Sequence, residues 1–238
     1  MRAAPRWSVL AHGSVLAGGV VFVASLLYFI YAYLGRFGAA VDPATPAVRP
    51  VLINVALFAA FALHHSLFAR ASAKRRVENL VSPAYERSVY VWGSSLLFGA
   101  VCVLWQPVPG ALWIAPAGLA PILLAAELGG GLLSVVSARR LDVLDLAGLR
   151  QAAAAAPVPT LMRTGPYGLV RHPVYLGWII LVWVTPAMTG TRLVFAAVST
   201  LYLAVAVLYE ERDLARLFGP GYADYKREVR WRMLPFVY

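Results

Sequence analysis

Several separate apolar runs of roughly 18 to 25 residues dominate this chain, each long enough to cross a hydrocarbon core of about 30 Å as a helix. A hydrocarbon solvent offers no partner to backbone N–H and C=O groups, so such runs fold as helices that satisfy those groups internally. Composition agrees: of 238 residues, 61% are hydrophobic and 13% charged, against about 25% charged in average soluble chains. A soluble globular domain is excluded. The lone cysteine, Cys102, lies inside an apolar run, which excludes a disulfide framework and a cysteine-based metal site.

The runs place helices over roughly residues 13–34, 48–68, 88–105 and 111–136. The third and fourth are joined by Gln106-Pro-Val-Pro-Gly110, too short and proline-rich for anything but a hairpin turn. Residues 138–172 form the longest polar connection, with an alanine run at 152–156. A fifth, short span over roughly 173–188 turns at Thr189-Gly190-Thr191 into a sixth over roughly 193–210. Residues 211–238 then read as a basic, aromatic surface helix and tail. The expected fold class is all-α: a polytopic membrane helical bundle of five to six transmembrane helices with a C-terminal helical hairpin and a cytoplasmic tail helix. Residues 1–137 carry the first four helices and residues 138–238 the polar connection, hairpin and tail, in one integrated membrane domain.

Charge sets the expected topology. Eighteen of the 21 Lys and Arg residues fall in the N-terminus, the second and fourth loops and the tail, whereas Arg36, Arg49 and Arg192 fall on the other side. The positive-inside rule assigns the larger group to the cytoplasm. Both termini and the long polar connection are therefore expected there. The same distribution explains the net charge of +10 without a nucleic-acid partner. Arg2 and Arg6 precede a run long enough to span and lacking a clear cleavage site, so no cleaved signal peptide is expected.

The polar residues that remain cluster at membrane boundaries. Arg171-His172-Pro173 opens the fifth span. Proline suits the first turn of a helix, and the free N–H groups there favour an anion, with Arg171, His172 and Tyr175 beside them. The alternative is an interfacial anchor that binds nothing. Glu210 and Glu211 close the sixth span, where Glu210 and Asp213 share a face and Glu211 points away. Their alternative is plain solvation, with Arg212 and Arg216 as partners. Tyr222 and Tyr225 follow at a three-residue spacing. Within the earlier spans, Glu127 beside Gly129-Gly130-Gly131 and the pair His64-His65 are the polar exceptions. Two adjacent histidines diverge on a helix and cannot chelate one ion, so no metal site is expected. A cationic helix start, two carboxylates and several tyrosines at one rim suit a mixed-charge soluble ligand meeting an apolar one.

Gly165-Pro-Tyr-Gly-Leu-Val-Arg-His-Pro-Val-Tyr-Leu-Gly177, followed by Glu210-Glu211, Phe218-Gly219, Tyr222, Tyr225 and Leu234-Pro235-Phe236, resembles the membrane methyltransferase superfamily. That superfamily includes isoprenylcysteine carboxyl methyltransferases and phospholipid N-methyltransferases. Phe61 to Arg70, Glu86 to Tyr90, Trp105-Gln-Pro and Gly148-Leu-Arg-Gln151 look closer to its bacterial methanethiol S-methyltransferase-like branch. The resemblance implies S-adenosylmethionine as methyl donor and a bacterial inner-membrane enzyme acting on a small or lipid-soluble acceptor among membrane lipids. A thiol, methanethiol converted to dimethyl sulfide, is the first acceptor. A prenylcysteine carboxylate or phospholipid amine is the alternative, as is a non-catalytic protein that keeps the fold. It further implies that Tyr167, Arg171, His172, Pro173, Tyr175, Gly177, Glu210 and Glu211 bind the donor, with His172, Glu210 and Arg171 catalytic. A neutral histidine or a carboxylate at the rim would take a thiol's proton. Residues 138–238 then form the cofactor side and residues 1–137 the acceptor side, with His64, His65 and Glu127 facing the acceptor.

Overall fold

The computed structural model describes residues 9–68, 70, 83–139 and 160–238. Arg2 and Arg6, the basic residues Lys74, Arg75 and Arg76, the alanine run and Gly148-Leu-Arg-Gln151 lie outside the described residues. The chain forms two compact units. Among the described residues four helices are long and apolar enough to cross a membrane, and two further apolar helices are shorter.

The first unit holds α1 (Val9–Leu34), α2 (Val48–Phe68) and α3 (Pro83–Leu104). Aromatic packing joins them: Phe98 of α3 lies 5.5 Å from the Phe29 ring of α1 and 5.3 Å from the Phe61 ring of α2. Asn54, fully buried in α2, has no water to turn to and uses both ends of its amide on Gln106. Its Nδ2 donates to the Gln106 carbonyl (2.8 Å) and its Oδ1 accepts the Gln106 N–H (2.7 Å). Arg36 donates to the Cys102 and Val103 carbonyls, placing a cation at the C-terminus of α3.

The second unit holds β1 (Ala111–Ile114), α4 (Ala120–Arg139), α5 (Pro173–Trp183), β2 (Ala187–Thr189), α6 (Gly190–Phe218) and α7 (Pro220–Glu228). The expected fourth span begins too early. Pro107, Pro109 and Pro116 keep the backbone extended, and residues 111–114 pair antiparallel with β2, Ala111 opposite Thr189 and Ile114 opposite Ala187. The helix starts only at Ala120. α5 is 11 residues long, about 16 Å, and falls well short of a 30 Å crossing by itself.

α4 and α5 meet backbone to backbone. A Cβ on Gly177 would stand 2.5 Å from the Gly130 carbonyl oxygen and 2.6 Å from the Ser134 nitrogen, and one on Gly130 would stand 2.6 Å from the Leu181 nitrogen. Small residues let helices approach this closely where lipid supplies no hydrophobic drive between them. Ser134 Oγ adds a bond to the Val174 carbonyl at 2.9 Å.

α6 departs most from expectation. It runs 29 residues, past Glu210 to Phe218, where Gly219 (φ 53°) and Pro220 stop it. α7 is a nine-residue helix whose Tyr222 and Tyr225 are buried against Leu161, Leu214, Ala215 and Phe218 rather than facing outward. The tail therefore folds into the core of this unit.

Candidate active site

The site is built where three pieces of the second unit meet: the start of α5, the last turns of α6 and the irregular tail after α7. Pro173 is the first residue of α5 and His172 stands at its cap. The N–H groups of Arg171 and His172 donate to the Trp231 and Arg232 carbonyls at 2.9 and 2.8 Å. Those of Tyr175 and Leu176 donate to the His172 carbonyl. The polar start of this helix is thus paired within the protein.

Arg171, buried, spends its guanidinium in the same way. Its Nε and Nη2 both lie 2.6 Å from Glu211 Oε1, and its Nη1 donates to the Val229 and Arg230 carbonyls at 2.8 and 2.7 Å. The second Glu211 oxygen accepts from Arg232 Nε at 3.0 Å. Glu211 is therefore a buried carboxylate clamped between two guanidiniums, with geometry that offsets its desolvation. Arg212 and Arg216 take no part; Arg216 pairs with Asp213 at 3.1 Å and Arg212 sits over the Tyr209 ring.

Glu210, one residue earlier, turns to the other face. Its side chain is 43% exposed, and its Oε2 accepts from the Tyr175 hydroxyl at 2.7 Å. His172 stands between the pair, Nδ1 3.5 Å from Glu210 Oε2 and Nε2 3.6 Å from Glu211 Oε1, its ring stacked on Tyr175. Burial alone would push the His172 pKa down, but the hydrogen bonds and charges of Glu210 and Glu211 outweigh it and hold the pKa above the ordinary value of 6.5. The imidazolium is favoured. Two buried polar atoms here, His172 Nε2 and the Tyr222 hydroxyl, face Glu211 at longer than ordinary hydrogen-bond distance.

The linkage gives a testable sign. Because folding raises the His172 pKa, its contribution to stability is fully present below the unfolded value of about 6.5 and is lost as pH rises through the raised value. Thermal unfolding in detergent should therefore show the melting temperature falling with pH above about 6.5, and His172→Gln should flatten that fall. An identical slope in the variant would refute it.

A protein named methanethiol S-methyltransferase 2 from Bradyrhizobium diazoefficiens is 37% identical over 222 residues, covering 88% of this chain and 85% of its own. A methanethiol S-methyltransferase from Mycobacterium tuberculosis is 34% identical over 230 residues, covering 91% and 93%. The chain belongs to this family of membrane methyltransferases. It is an enzyme of that class. The phospholipid methyltransferase family model matches residues 131–221. Nurim from Xenopus laevis is 28% identical over 181 residues, covering 69% of this chain and 62% of its own. No solved structure matches the chain.

In this methyltransferase the residues expected at the site divide into groups. Arg171, His172, Pro173, Tyr175, Glu210 and Glu211 come together as described. Tyr167 is buried behind them, its hydroxyl donating to the Ser137 carbonyl and its carbonyl accepting from Tyr225. Gly177 is taken up in the α4–α5 contact. Glu127, fully buried, lies toward the far end of α5, facing Thr185 and Arg192. His64 and His65 belong to the first unit, where they flank Tyr90. The Tyr90 hydroxyl is 2.9 Å from His65 Nδ1, and His64 stacks on Phe68 with Ser94 Oγ 3.4 Å from its Nδ1. Sequence reasoning missed Arg232 and the burial of Tyr222. Arg232 had no signal in its basic, aromatic stretch, and the spacing of Tyr222 to Tyr225 marked a shared face without saying that it turns inward; both lie beyond the matched family region.

Proposed function

We propose that this methyltransferase binds S-adenosylmethionine at the Glu210 face and transfers its methyl group to methanethiol, releasing dimethyl sulfide. The observation that carries the donor reading is the split of two adjacent carboxylates, Glu211 locked between Arg171 and Arg232 and Glu210 half-exposed on Tyr175. The acceptor reading rests on relatives of that name covering most of both chains.

S-adenosylmethionine supplies a methyl already activated on a sulfonium, so the protein's task is alignment. In this reading Glu210 supplies the negative charge that faces the donor's ammonium or ribose hydroxyls. Tyr175 holds that carboxylate in place and presents a ring beside it. Arg171 serves the site by fixing Glu211, since its guanidinium is committed to Glu211 and the tail carbonyls. His172 carries its own proton between two carboxylates, which makes it a poor acceptor for the proton a thiol loses on becoming the nucleophilic thiolate.

Purified protein incubated with S-adenosylmethionine and methanethiol should yield dimethyl sulfide in the headspace and S-adenosylhomocysteine in solution, in equal amounts. Product with a prenylcysteine or a phospholipid amine and none with methanethiol would overturn the acceptor; no product and no donor binding would overturn both. Glu210→Gln keeps the shape and removes the charge. It should raise the donor KM by roughly 10- to 100-fold, the range of a lost charged hydrogen bond, with a smaller loss of melting temperature than Glu211→Ala. An unchanged KM would remove Glu210 from the donor site.

A further inference from the structure

The tail beyond α7 does more than cover the site. The four consecutive carbonyls of Val229, Arg230, Trp231 and Arg232 all accept from Arg171 or His172, so this irregular segment is the wall against which the polar start of α5 is built. Arg232 then reaches two ways. Its Nε bonds the second oxygen of Glu211, and its Nη1 donates to the Tyr238 hydroxyl at 2.7 Å, with the guanidinium 4.9 Å over the Tyr238 ring.

Tyr238 is held where it can do this. Its backbone oxygen accepts from three successive N–H groups, those of Arg232, Met233 and Leu234, at 2.9 to 3.1 Å, a concave nest of the kind that grips oxygen. The chain returns to that nest through Phe236 at φ 66°, a left-handed conformation that a bulky residue adopts only when its surroundings impose it. Burial does not impose it. Phe236 is 85% and Val237 75% exposed, whereas Met233 at the base of the turn is buried in the α5–α6 core. The Phe236 ring on Trp231 at 5.5 Å, the Val237 and Tyr238 N–H bonds to the Leu234 carbonyl and the polar contacts of Tyr238 close the turn together.

We infer that Tyr238 is a positioning residue for donor binding: through Arg232 it aligns the second oxygen of Glu211, and with it the carboxylate pair between which His172 stands. The inference rests on the donor reading given above, and it adds a residue that touches neither the donor nor the reacting atoms. Arg171 alone grips one Glu211 oxygen and leaves the carboxylate free to rock about it; Arg232 supplies the second point, and Tyr238 keeps Arg232 from swinging into solvent.

The test is a double-mutant cycle on the full chain in detergent, with Arg232→Lys, Tyr238→Phe and the double variant, reading S-adenosylhomocysteine affinity by calorimetry alongside the melting temperature. Arg232 is partly exposed, so each single change should weaken affinity about three- to fivefold, the range of a screened charged contact. The double variant should be no weaker than Arg232→Lys, because the two residues act in series. Additive losses, or full affinity in Tyr238→Phe, would overturn the inference. A second readout needs no ligand: in Tyr238→Ala the fall of the melting temperature still begins near the unfolded value of about 6.5, but the pH at which it levels off, set by His172 in the folded protein, should move lower as Glu211 loosens, and its midpoint with it. If the wild type fails to bind S-adenosylhomocysteine, the donor reading falls by itself, and this pH readout still decides the positioning role: an unmoved midpoint overturns it.

Discussion

Glu211→Ala should lower stability by about 3–5 kcal/mol, the cost of leaving a buried charged partner uncompensated. Two guanidiniums lose their carboxylate together, and Arg171, 6% exposed at its side chain, cannot turn to water. The expected result is a protein that expresses poorly or melts well below the wild type in detergent. Glu210→Ala, one residue away, should cost much less, since its half-exposed carboxylate gives up only the Tyr175 hydrogen bond and its share in holding the His172 proton. The contrast between neighbours is the informative measurement. Equal losses of stability would mean that both carboxylates are structural, and the site would have to be sought elsewhere.

Gly177→Ala is the second large effect. The added carbon would meet the Gly130 carbonyl and the Ser134 nitrogen, both backbone atoms of a packed helix that cannot step aside. Overpacking of this kind costs about 1–3 kcal/mol and sometimes more, and Gly177→Val should exceed Gly177→Ala. The control is Gly131→Ala, where the nearest atom is the end of the Leu181 side chain at 3.8 Å. It should be tolerated within about 0.5 kcal/mol, since alanine is the better helix former. If Gly177→Ala melts like Gly131→Ala, the two helices are not in backbone contact.

Apolar length made the helices legible, because period and hydrophobicity report a lipid-facing helix directly. Two features escaped for physical reasons. Residues 111–119 are as apolar as the helices around them, and only Pro116 and the pairing with β2, a long-range event, decide against a helix there. The tail reads as basic and aromatic, which describes a surface helix equally well, and nothing local tells that Tyr222 and Tyr225 turn inward. The candidate site was half visible. Arg171, His172 and the two glutamates stood out because charges at a membrane boundary are costly. That Arg171 is spent on Glu211 and the tail carbonyls depends on Val229 to Arg232, which are brought to it from 58 and more residues away. Charge alone points to an anion at Arg171; the missing information was which anion, and it is the protein's own.

α6 is one unbroken helix from the β2 pairing at Gly190 to Phe218. Each residue along it turns by about 100°, so the hydrogen bonds of β2 set the rotational phase at which Glu210 and Glu211 arrive more than four turns later. One residue inserted between them would advance that phase by a single step, delivering Glu210 to the arginine clamp and Tyr209 to the open face. The little sheet at one end of this helix is, in that sense, the clock of the carboxylates at the other.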